Sequence, residues 1–179
     1  LSKTDIERQI SRLTEIGIAL SAELNLDALL EKTLHYAREL THADAGTLYL
    51  LEDGRLRFRI MQNASLGLFR SGNAGREIEL EPVPLEKANV SARAVLEGRT
   101  IRVEDVYASS EYDFSGPRRY DSLTGYRSRS MLAAPMKTRD GDTIGALQLI
   151  NAIDESSGRA AAFGDSSVAL AEALASQAA

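Results

Sequence analysis

The chain has 179 residues, of which 44% are hydrophobic and 26% are charged, and its formal net charge is -5. This length fits one domain with a full core, and the composition is that of a soluble globular protein. The negative charge argues against a general nucleic-acid-binding protein. No apolar run is long enough to span a membrane. Cysteine is absent, which excludes disulfides, thiolate metal sites and cysteine nucleophiles. A reducing, cytoplasmic compartment fits this absence.

The first segment predicts a helix with an apolar seam. The seam residues are spaced alternately four and three apart, and they are Ile6, Ile10, Leu13, Gly17, Leu20 and Leu24. This heptad spacing is typical of helices that pack on a partner helix, so it favours a homodimer. A helix lying on its own domain gives the same pattern, and the sequence leaves the two alternatives open.

A second helix is predicted after Asn25, which is a suitable N-cap. Its expected inner face consists of Leu26, Leu29, Leu30, Leu34 and Ala37. The hydrophobic period then changes from that of a helix to that of a strand. The run "GTLYLL", the turn at Asp53-Gly54 and the alternating Leu56, Phe58 and Ile60 predict a β-hairpin.

The middle of the chain is mixed. We expect a mobile loop over residues 66–75 and a short strand over 77–80, which Pro82 and Pro84 would end. Asn89 and Gly98 are suitable caps for a short helix between them. The segment "TIRVEDV" is typical of a strand.

The clearest pattern in the chain is a second hairpin, in which two apolar runs meet across Asp140-Gly141. A last helix begins near Asp165 or Ser166. Its small apolar face, which could also serve a dimer, consists of Val168, Ala171, Leu174, Ala175 and Ala178. Hairpins with flanking helices predict an α+β fold, with an antiparallel sheet of about six strands and the terminal helices on one face.

The stretch "GYRSRSMLAAPMKTRDGDTIGALQLINA", residues 125–152, resembles the C-terminal hairpin of GAF domains. Residues 89–136 are similar to the cyclic-nucleotide-binding GAF domains of phosphodiesterases. The resemblance implies one sensory domain over 1–179, with a signalling or dimerisation helix at 1–24, a core at 25–165 and a C-terminal helix at 166–179. Since the chain begins at Leu1 and ends on a helical pattern, we expect an excised fragment whose output domain lies elsewhere.

The same resemblance implies a ligand site for cGMP, cAMP or another small molecule. Polar side chains at Asp121, Thr124 and Ser128 would face the nucleotide, and the backbone amides of Val90 and Ser91 would bind the cyclic phosphate. Helix N-termini favour anions for physical reasons that do not depend on the family. The base side would be lined by Thr47 and by Met61 or Gln62, together with Gln148.

Two features depart from the phosphodiesterase pattern. Gln148 stands in place of a Glu, so its side chain can donate as well as accept, and the preferred base stays open. The family's signature Asn-Lys and Phe-Asp-Glu reads here as Asn151-Ala152 and Phe163-Gly164-Asp165. Both members of the Lys-Asp ion pair are therefore missing together, so neither charge is left unpaired.

Several polar residues have two readings. Instead of a ligand, Asp121, Ser122 and Thr124 can bond their own backbone in a turn that caps a short helix. If Asp121 contacts the ligand, Asp121→Ala should weaken binding about ten- to a hundredfold with little change in the fold. If it caps the turn, the melting temperature should fall instead.

Other clusters also carry alternatives. The arginines at 118, 119, 127 and 129 can clamp a phosphate or form a solvated charge cluster. The aromatic residues at 107, 112, 114 and 120 can form a lid over a ligand or anchor a loop to the core. His35 and His42 are too far apart along a helix for a metal pair. We expect no metal site.

We expect a non-catalytic domain. GAF-type methionine sulfoxide reductases and bilin-binding domains need cysteine, and no nucleophile with an evident base is present. Two hypotheses follow: a small-molecule sensor in a larger signalling protein, or a ligand-free dimerisation and relay module.

Overall fold

The computed structural model describes residues 3–72 and 78–179, which form an α+β fold around one antiparallel sheet. Its helices are α1 (Lys3–Ser21), α2 (Leu26–Thr41), α3 (Val90–Glu97), α4 (Ser115–Thr124) and α5 (Asp165–Gln177). Its strands are β1 (Ala43–Glu52), β2 (Arg55–Asn63), β3 (Leu68–Ser71), β4 (Val83–Pro84), β5 (Ile101–Val103), β6 (Met131–Lys137), β7 (Thr143–Ile153) and β8 (Ala160–Ala161).

The main strand order is β3-β2-β1-β7-β6-β5, while β4 pairs with β2 and β8 pairs with β7. The six strands of this order confirm the predicted sheet. Both predicted hairpins, β1–β2 and β6–β7, are present. Asp53 and Gly54 both have positive φ, as the tight turn of the first hairpin requires.

The main core lies between one face of the sheet and the layer of α1, α2 and α5. It buries side chains from every one of these elements, including Leu20, Leu30, Leu34, Leu48, Leu132, Leu147 and Leu174. This layer confirms the expectation that the terminal helices share one face. Within residues 3–72 and 78–179, no helix combines the length and apolarity needed to span a bilayer.

The heptad seam of α1 divides into two parts. Leu20 and the unpredicted Ile16 are buried against the domain itself, whereas Ile10 is 58% exposed and Leu13 is also exposed. Leu24 lies beyond the end of α1 and is almost fully exposed. The side chain of Ile6 lies outside the described residues. The C-terminal half of α1 therefore serves its own core, and part of its N-terminal half stays uncovered.

The last helix does not offer the free face that its sequence suggested. Its side chains at Ala171, Leu174, Ala175 and Ala178 are buried in the main core, and Val168 packs against that core. The prediction that this face is available to a partner is therefore wrong. Small residues lie there because α5 approaches α2 and β6 closely.

The second helix starts as predicted, because the Asn25 side chain accepts a hydrogen bond from the Ala28 amide at 3.0 Å. Leu30, Leu34 and Ala37 are fully buried, and Leu29 packs against them. Leu26 is 56% exposed, so its assignment to the inner face was wrong. It occupies the first turn, which extends past the edge of the core.

The middle segment differs from the prediction. Leu68–Ser71 forms β3 on β2, where a mobile loop was expected, because the edge of β2 offers unpaired backbone groups. Ile78 to Leu80 is not a strand, and the short β4 at Val83–Pro84 replaces it. Pro84 is tolerated because β4 is an edge strand. The predicted residues from 73 to 77 lie outside the described residues.

The other face of the sheet is covered by α3, which packs on β5, β6 and β7. As predicted, α3 is capped by Asn89, which accepts from the Ala92 amide at 3.1 Å, and it ends at Gly98. Ala92 and Val95 pack on the sheet beside Tyr49. Val90, the first residue of α3, packs with residues of β5 and β6.

Helix α4 has no place in the predicted order of elements, which offered here only a turn capping a short helix at Asp121, Ser122 and Thr124. Asp121 is buried but no apolar residue of α4 is, so the segment lacks the hydrophobic period of a helix. Its end signals are nevertheless present: Asp113 accepts from the Ser115 amide at 2.8 Å, Pro117 lies in the first turn, and Gly125 ends the helix at φ 72°.

A side chain at Gly145 is incompatible with the close approach of β1 and β7. A Cβ atom there would lie 2.1 Å from the backbone oxygen of Tyr49, so the strands would have to separate. We expect Gly145→Ala to lower the free energy of unfolding by about 2–4 kcal/mol, measured by urea denaturation.

Gly17→Ala is the matched control, because nothing lies within 4 Å of a Cβ at that helical position. It should raise stability by about 0.5–1 kcal/mol through helix propensity. Equal effects of the two substitutions would contradict the close-approach argument.

Candidate ligand-binding site

Polar residues line the sheet face that α3 covers. Because successive side chains of a strand alternate, and Leu48 points into the main core, Thr47 and Tyr49 point to the opposite face. The register places Thr47 opposite Met61 on β2 and opposite Gln148 on β7. Three of the predicted site residues therefore lie side by side on the central strands.

Gln62 does not join them. It follows Met61 on β2 and so points to the helix layer, where its Oε1 accepts from Arg38 Nη1 at 2.9 Å. Of the two alternatives for this position, only Met61 lies on the face of Thr47. Strand alternation could have decided this from the sequence once the register was known.

Gln148 is held by its neighbours in a buried setting. Its Oε1 accepts from the Tyr49 hydroxyl at 3.1 Å, and its Nε2 donates to the Met131 sulfur at 3.9 Å. Burial raises the pKa of Tyr49, so this hydroxyl stays neutral and acts as a donor. Since a thioether is a weak acceptor, the Gln148 amide keeps donor capacity for another group.

The first turn of α3 has unused donors. Asn89 satisfies the amides of Ala92 and Arg93. Within the described residues, the amides of Val90 and Ser91 have no protein acceptor. Four amides at the start of a helix lack intrahelical partners, so these two are available to an anion.

Ser91 adds a second unused group at the same place. Its side chain is 1% exposed, and its hydroxyl has no hydrogen-bond partner in the part of the chain that the structure describes. Ser91 precedes Ala94 and Val95 by three and four residues, so it shares the helix face that packs on the sheet. A buried hydroxyl without a partner costs free energy, so it calls for a ligand group or a functional explanation.

Asp121 is the hydrogen-bonding centre of α4. It is 5% exposed, and its two oxygens accept from Tyr107 Oη and Ser128 N, both at 2.8 Å, and from Ser128 Oγ at 2.9 Å. The structure thus brings Asp121 and Ser128 together, but they bind each other. The hydrogen bond to Asp121 raises the pKa of Tyr107. Asp121 lies in a helix and is buried, so the expectation that its loss would change the fold little does not fit its environment.

Thr124 is not brought to the sheet face. It is exposed at the end of α4, where its hydroxyl donates to the Tyr120 carbonyl at 2.8 Å. Ser122 likewise donates to the Arg118 carbonyl at 2.9 Å. Both residues bond the preceding turn of their own helix, which is a local use of short polar side chains.

Asn151 fixes the segment after α4. Its Oδ1 accepts from the amides of Arg129 at 2.6 Å and Ser130 at 3.2 Å. Its Nδ2 donates to the Arg127 carbonyl at 2.7 Å and to Tyr126 Oη at 3.0 Å. Asn151 is buried and adopts φ 57°, a conformation that Asn tolerates better than most residues. Its position in the family signature was noted from the sequence, but this role was not predicted.

The Lys and Asp positions of the signature, Ala152 and Gly164, carry no charge here. Ala152 and Phe163 are buried in the main core, and Gly164 precedes α5. Asp165 pairs with Arg102 at 2.8 Å on the surface. The domain therefore closes this region by apolar packing.

The four arginines do not converge on one point. Arg127 and Arg118 lie over the Tyr107 ring, at 3.7 and 5.3 Å from its centre. Arg129 donates to the Ala160 carbonyl at 2.6 Å, and Arg119 is exposed. The arrangement supports the solvated reading of these charges.

Two of the aromatic residues anchor this region. Phe114 is buried beside α3, and Tyr112 packs edge-on against it at 5.9 Å.

His35 and His42 are exposed on or beside α2. Across residues 3–72 and 78–179, the structure brings together no group of three acidic or histidine residues that could hold a metal ion.

We expect Asp121→Ala to destabilise the protein by about 1–3 kcal/mol, because it leaves the buried amide and hydroxyl of Ser128 without their acceptor. Thermal and urea unfolding measure this loss. Ser122→Ala, one residue away on an exposed position, is the control and should change stability by less than about 0.5 kcal/mol. A variant at Asp121 that unfolds like the wild type would contradict the structural role.

Comparison with known proteins agrees with this architecture. The family model for the GAF domain matches residues 23–179. The dual 3',5'-cyclic-AMP and -GMP phosphodiesterase 11 of Drosophila melanogaster is 28% identical over 139 residues, which cover 72% of this chain and 9% of that protein. The corresponding phosphodiesterase 11A of Takifugu rubripes is 29% identical over 137 residues, covering 74% of this chain and 14% of that protein. The chain therefore spans a small part of these relatives.

Solved structures show the same fold. The GAF domain of a phosphoenolpyruvate-protein phosphotransferase from Coxiella burnetii superposes with a TM-score of 0.69 at 17% identity, covering 94% of this chain and 89% of that one. A free methionine-R-sulfoxide reductase from Neisseria meningitidis, solved with its substrate, gives a TM-score of 0.63 at 20% identity, with coverages of 93% and 83%. The match of the family model over most of the chain, together with this shared fold, shows that the chain belongs to the GAF domain family.

Proposed function

We propose that this GAF domain is a non-catalytic sensory module that binds a small polar ligand between α3 and the sheet. The observation that carries the proposal is the buried, unpartnered hydroxyl of Ser91 beside the unused amides of α3. These groups lie over a sheet face that presents Thr47 and Gln148. A site of this kind offers donors to an anion and further hydrogen bonds to its polar part.

A cyclic nucleotide is the first ligand class to test. Its phosphate suits the amides of Val90 and Ser91, and its base can use the side chains of Thr47, Met61 and Gln148. The names of the two phosphodiesterase relatives, which act on cyclic AMP and cyclic GMP, support this choice. The free donor capacity at Gln148 favours a base that presents an acceptor.

In this proposal Asp121 and Ser128 hold α4 beside the site. Asp121 already accepts three hydrogen bonds, from Tyr107 and Ser128, and a ligand donor can exchange with the Tyr107 hydroxyl there. Such an exchange would change the position of α4. A ligand with higher affinity for one position of α4 shifts the population toward it, which is the basis of a sensor.

The proposed role is regulatory. Some proteins with this fold are methionine sulfoxide reductases, but the present chain contains no cysteine. A covalently linked output domain in the full-length protein would receive the signal through the terminal helices, and we expect the protein to work in the cytoplasm.

Calorimetric titration with cGMP and cAMP tests the proposal. We expect one of them to bind, and Ser91→Ala to weaken that binding about tenfold through loss of a hydroxyl contact. The same substitution should leave the ligand-free protein as stable as before or more stable, because it removes an unpartnered buried hydroxyl. If neither nucleotide binds at roughly millimolar concentration, the nucleotide form of the proposal is wrong.

Thr100→Ala is the matched control. Thr100 also has a buried hydroxyl without a partner among the described residues, but it lies beyond the opposite end of α3. It should not change the affinity for the ligand. An equal loss of affinity in both variants would show that the effect does not arise at the N-terminus of α3.

A second candidate function is ligand-free dimerisation and signal relay through α1. Ile10 and Leu13 are exposed and lie three residues apart on the predicted seam. Because α1 also packs on α2 and α5, a partner helix seated there would act on the layer that carries the main core.

Sedimentation analysis tests this candidate. We expect a dimer at micromolar concentration, and Leu13→Glu should raise its dissociation constant about tenfold or more by placing a charge in an apolar contact. Ile18→Glu is the control, because Ile18 is exposed on α1 but lies away from the seam. A wild-type protein that stays monomeric at high micromolar concentration would exclude the seam as a dimer contact.

A further inference from the structure

We propose a second ligand site, for a small organic anion with an apolar group, in the cleft between α2 and the β2–β3 turn. The cleft has a volume of about 490 Å³, which is within the range of small-molecule sites. It lies on the helix side of the sheet, opposite to the site under α3. The residues that decide its chemistry are Arg38, Gln62, Asn63, Leu68 and Phe69.

Arg38 supplies the positive charge. Its guanidinium donates to Gln62 Oε1 and to the Asp44 carbonyl, both at 2.9 Å, and its Nε is buried without a partner. Neither acceptor is charged. Among the described residues, no carboxylate lies within ion-pair distance of Arg38. A partly buried guanidinium without a counter-ion favours a carboxylate or phosphate, which can accept two of its hydrogens together.

The charge of the Asp44 carboxylate attracts Arg38, but this carboxylate already accepts hydrogen bonds from other groups. Asp44 accepts from Ser65 Oγ at 2.8 Å and from Tyr126 Oη at 2.7 Å. Burial lowers the pKa of Arg38 while Asp44 raises it, so desolvation outweighs the attraction of that charge. A bound anion would add to the attraction of Asp44 and favour the charged guanidinium.

Within the part of the chain that the structure describes, Arg38 is the basic residue of the cleft that faces no carboxylate, because Lys32 and His35 each face one. Lys32 pairs with Glu23 at 2.6 Å, and His35 faces Glu39 at 4.0 Å. Glu31 also lines the cleft, but it lies seven residues before Arg38, which is about 10 Å along the helix. Its repulsion of an anion at Arg38 is therefore weakened by distance and solvent.

An apolar surface lies beside the guanidinium. Phe69 is 58% exposed and pairs with Gln62 in the register of β3 and β2, and Gln62 is the residue that binds Arg38. Side chains of paired residues point to the same face, so the Phe69 ring is a neighbour of the Gln62 amide and the Arg38 charge. An anion that carries a flat apolar group fits this combination better than inorganic phosphate does.

The test is an NMR titration of the ¹⁵N-labelled domain with phenyl phosphate, benzoate and inorganic phosphate. We expect shifts of the amides in the β2–β3 turn, and at least one aryl anion should bind about tenfold more tightly than inorganic phosphate. The response to the two aryl anions distinguishes a phosphate site from a carboxylate site. No shift in this turn with any probe at roughly 10 mM would overturn the proposal.

Variants identify the groups responsible. Arg38→Gln should weaken aryl-anion binding about tenfold or more. Arg57→Gln is the control and should not, because Arg57 does not line the cleft and pairs with Glu52 near the β1–β2 turn. Phe69→Ala removes only an exposed ring, so the fold should hold even if Arg38→Gln does not fold. It should weaken aryl anions several-fold and leave inorganic phosphate unchanged. Unaltered binding in both variants would overturn the assignment.

Discussion

The hydrogen bonds of Asn151 are the constraint on which this side of the molecule depends. Its side chain accepts from two amides and donates to a carbonyl and a hydroxyl of the segment from Tyr126 to Ser130. The segment has no regular secondary structure, so it would otherwise leave these groups unsatisfied. With this segment fixed, Ser128 reaches Asp121 and thereby ties α4 to the segment that precedes β6.

The same hydrogen bonds join the two faces of the sheet. Tyr126 accepts from Asn151 and donates to Asp44, whose carbonyl accepts from Arg38 on the helix side. A chain of contacts therefore runs from the cleft at α2 to the segment that binds α4. Such a chain can carry coupling only if its residues have two alternative arrangements that ligands favour unequally.

The missing Lys-Asp pair of the family signature shows how a fold can survive the loss of a feature. Ala152 stands at the Lys position and is buried in the main core, and Gly164 stands at the Asp position, so neither charge of the pair is present. Replacing both charges together avoids the large cost of one unpaired charge. Asn151 satisfies backbone groups, which are present whatever the ligand is.

The sequence determined the parts of this protein that local chemistry decides. Hydrophobic period and end signals predicted α2, α3, α5 and both hairpins, because Asn25, Asn89 and Asp53-Gly54 act within a few residues. Helix α4 was missed because its only buried residue is a carboxylate. Only the tertiary structure could show that Gln62 faces Arg38, that the apolar face of α5 is occupied and that Asp121 binds Ser128. Each of these depends on a partner distant along the chain or on the strand register, and a side chain's type does not specify which group it will meet.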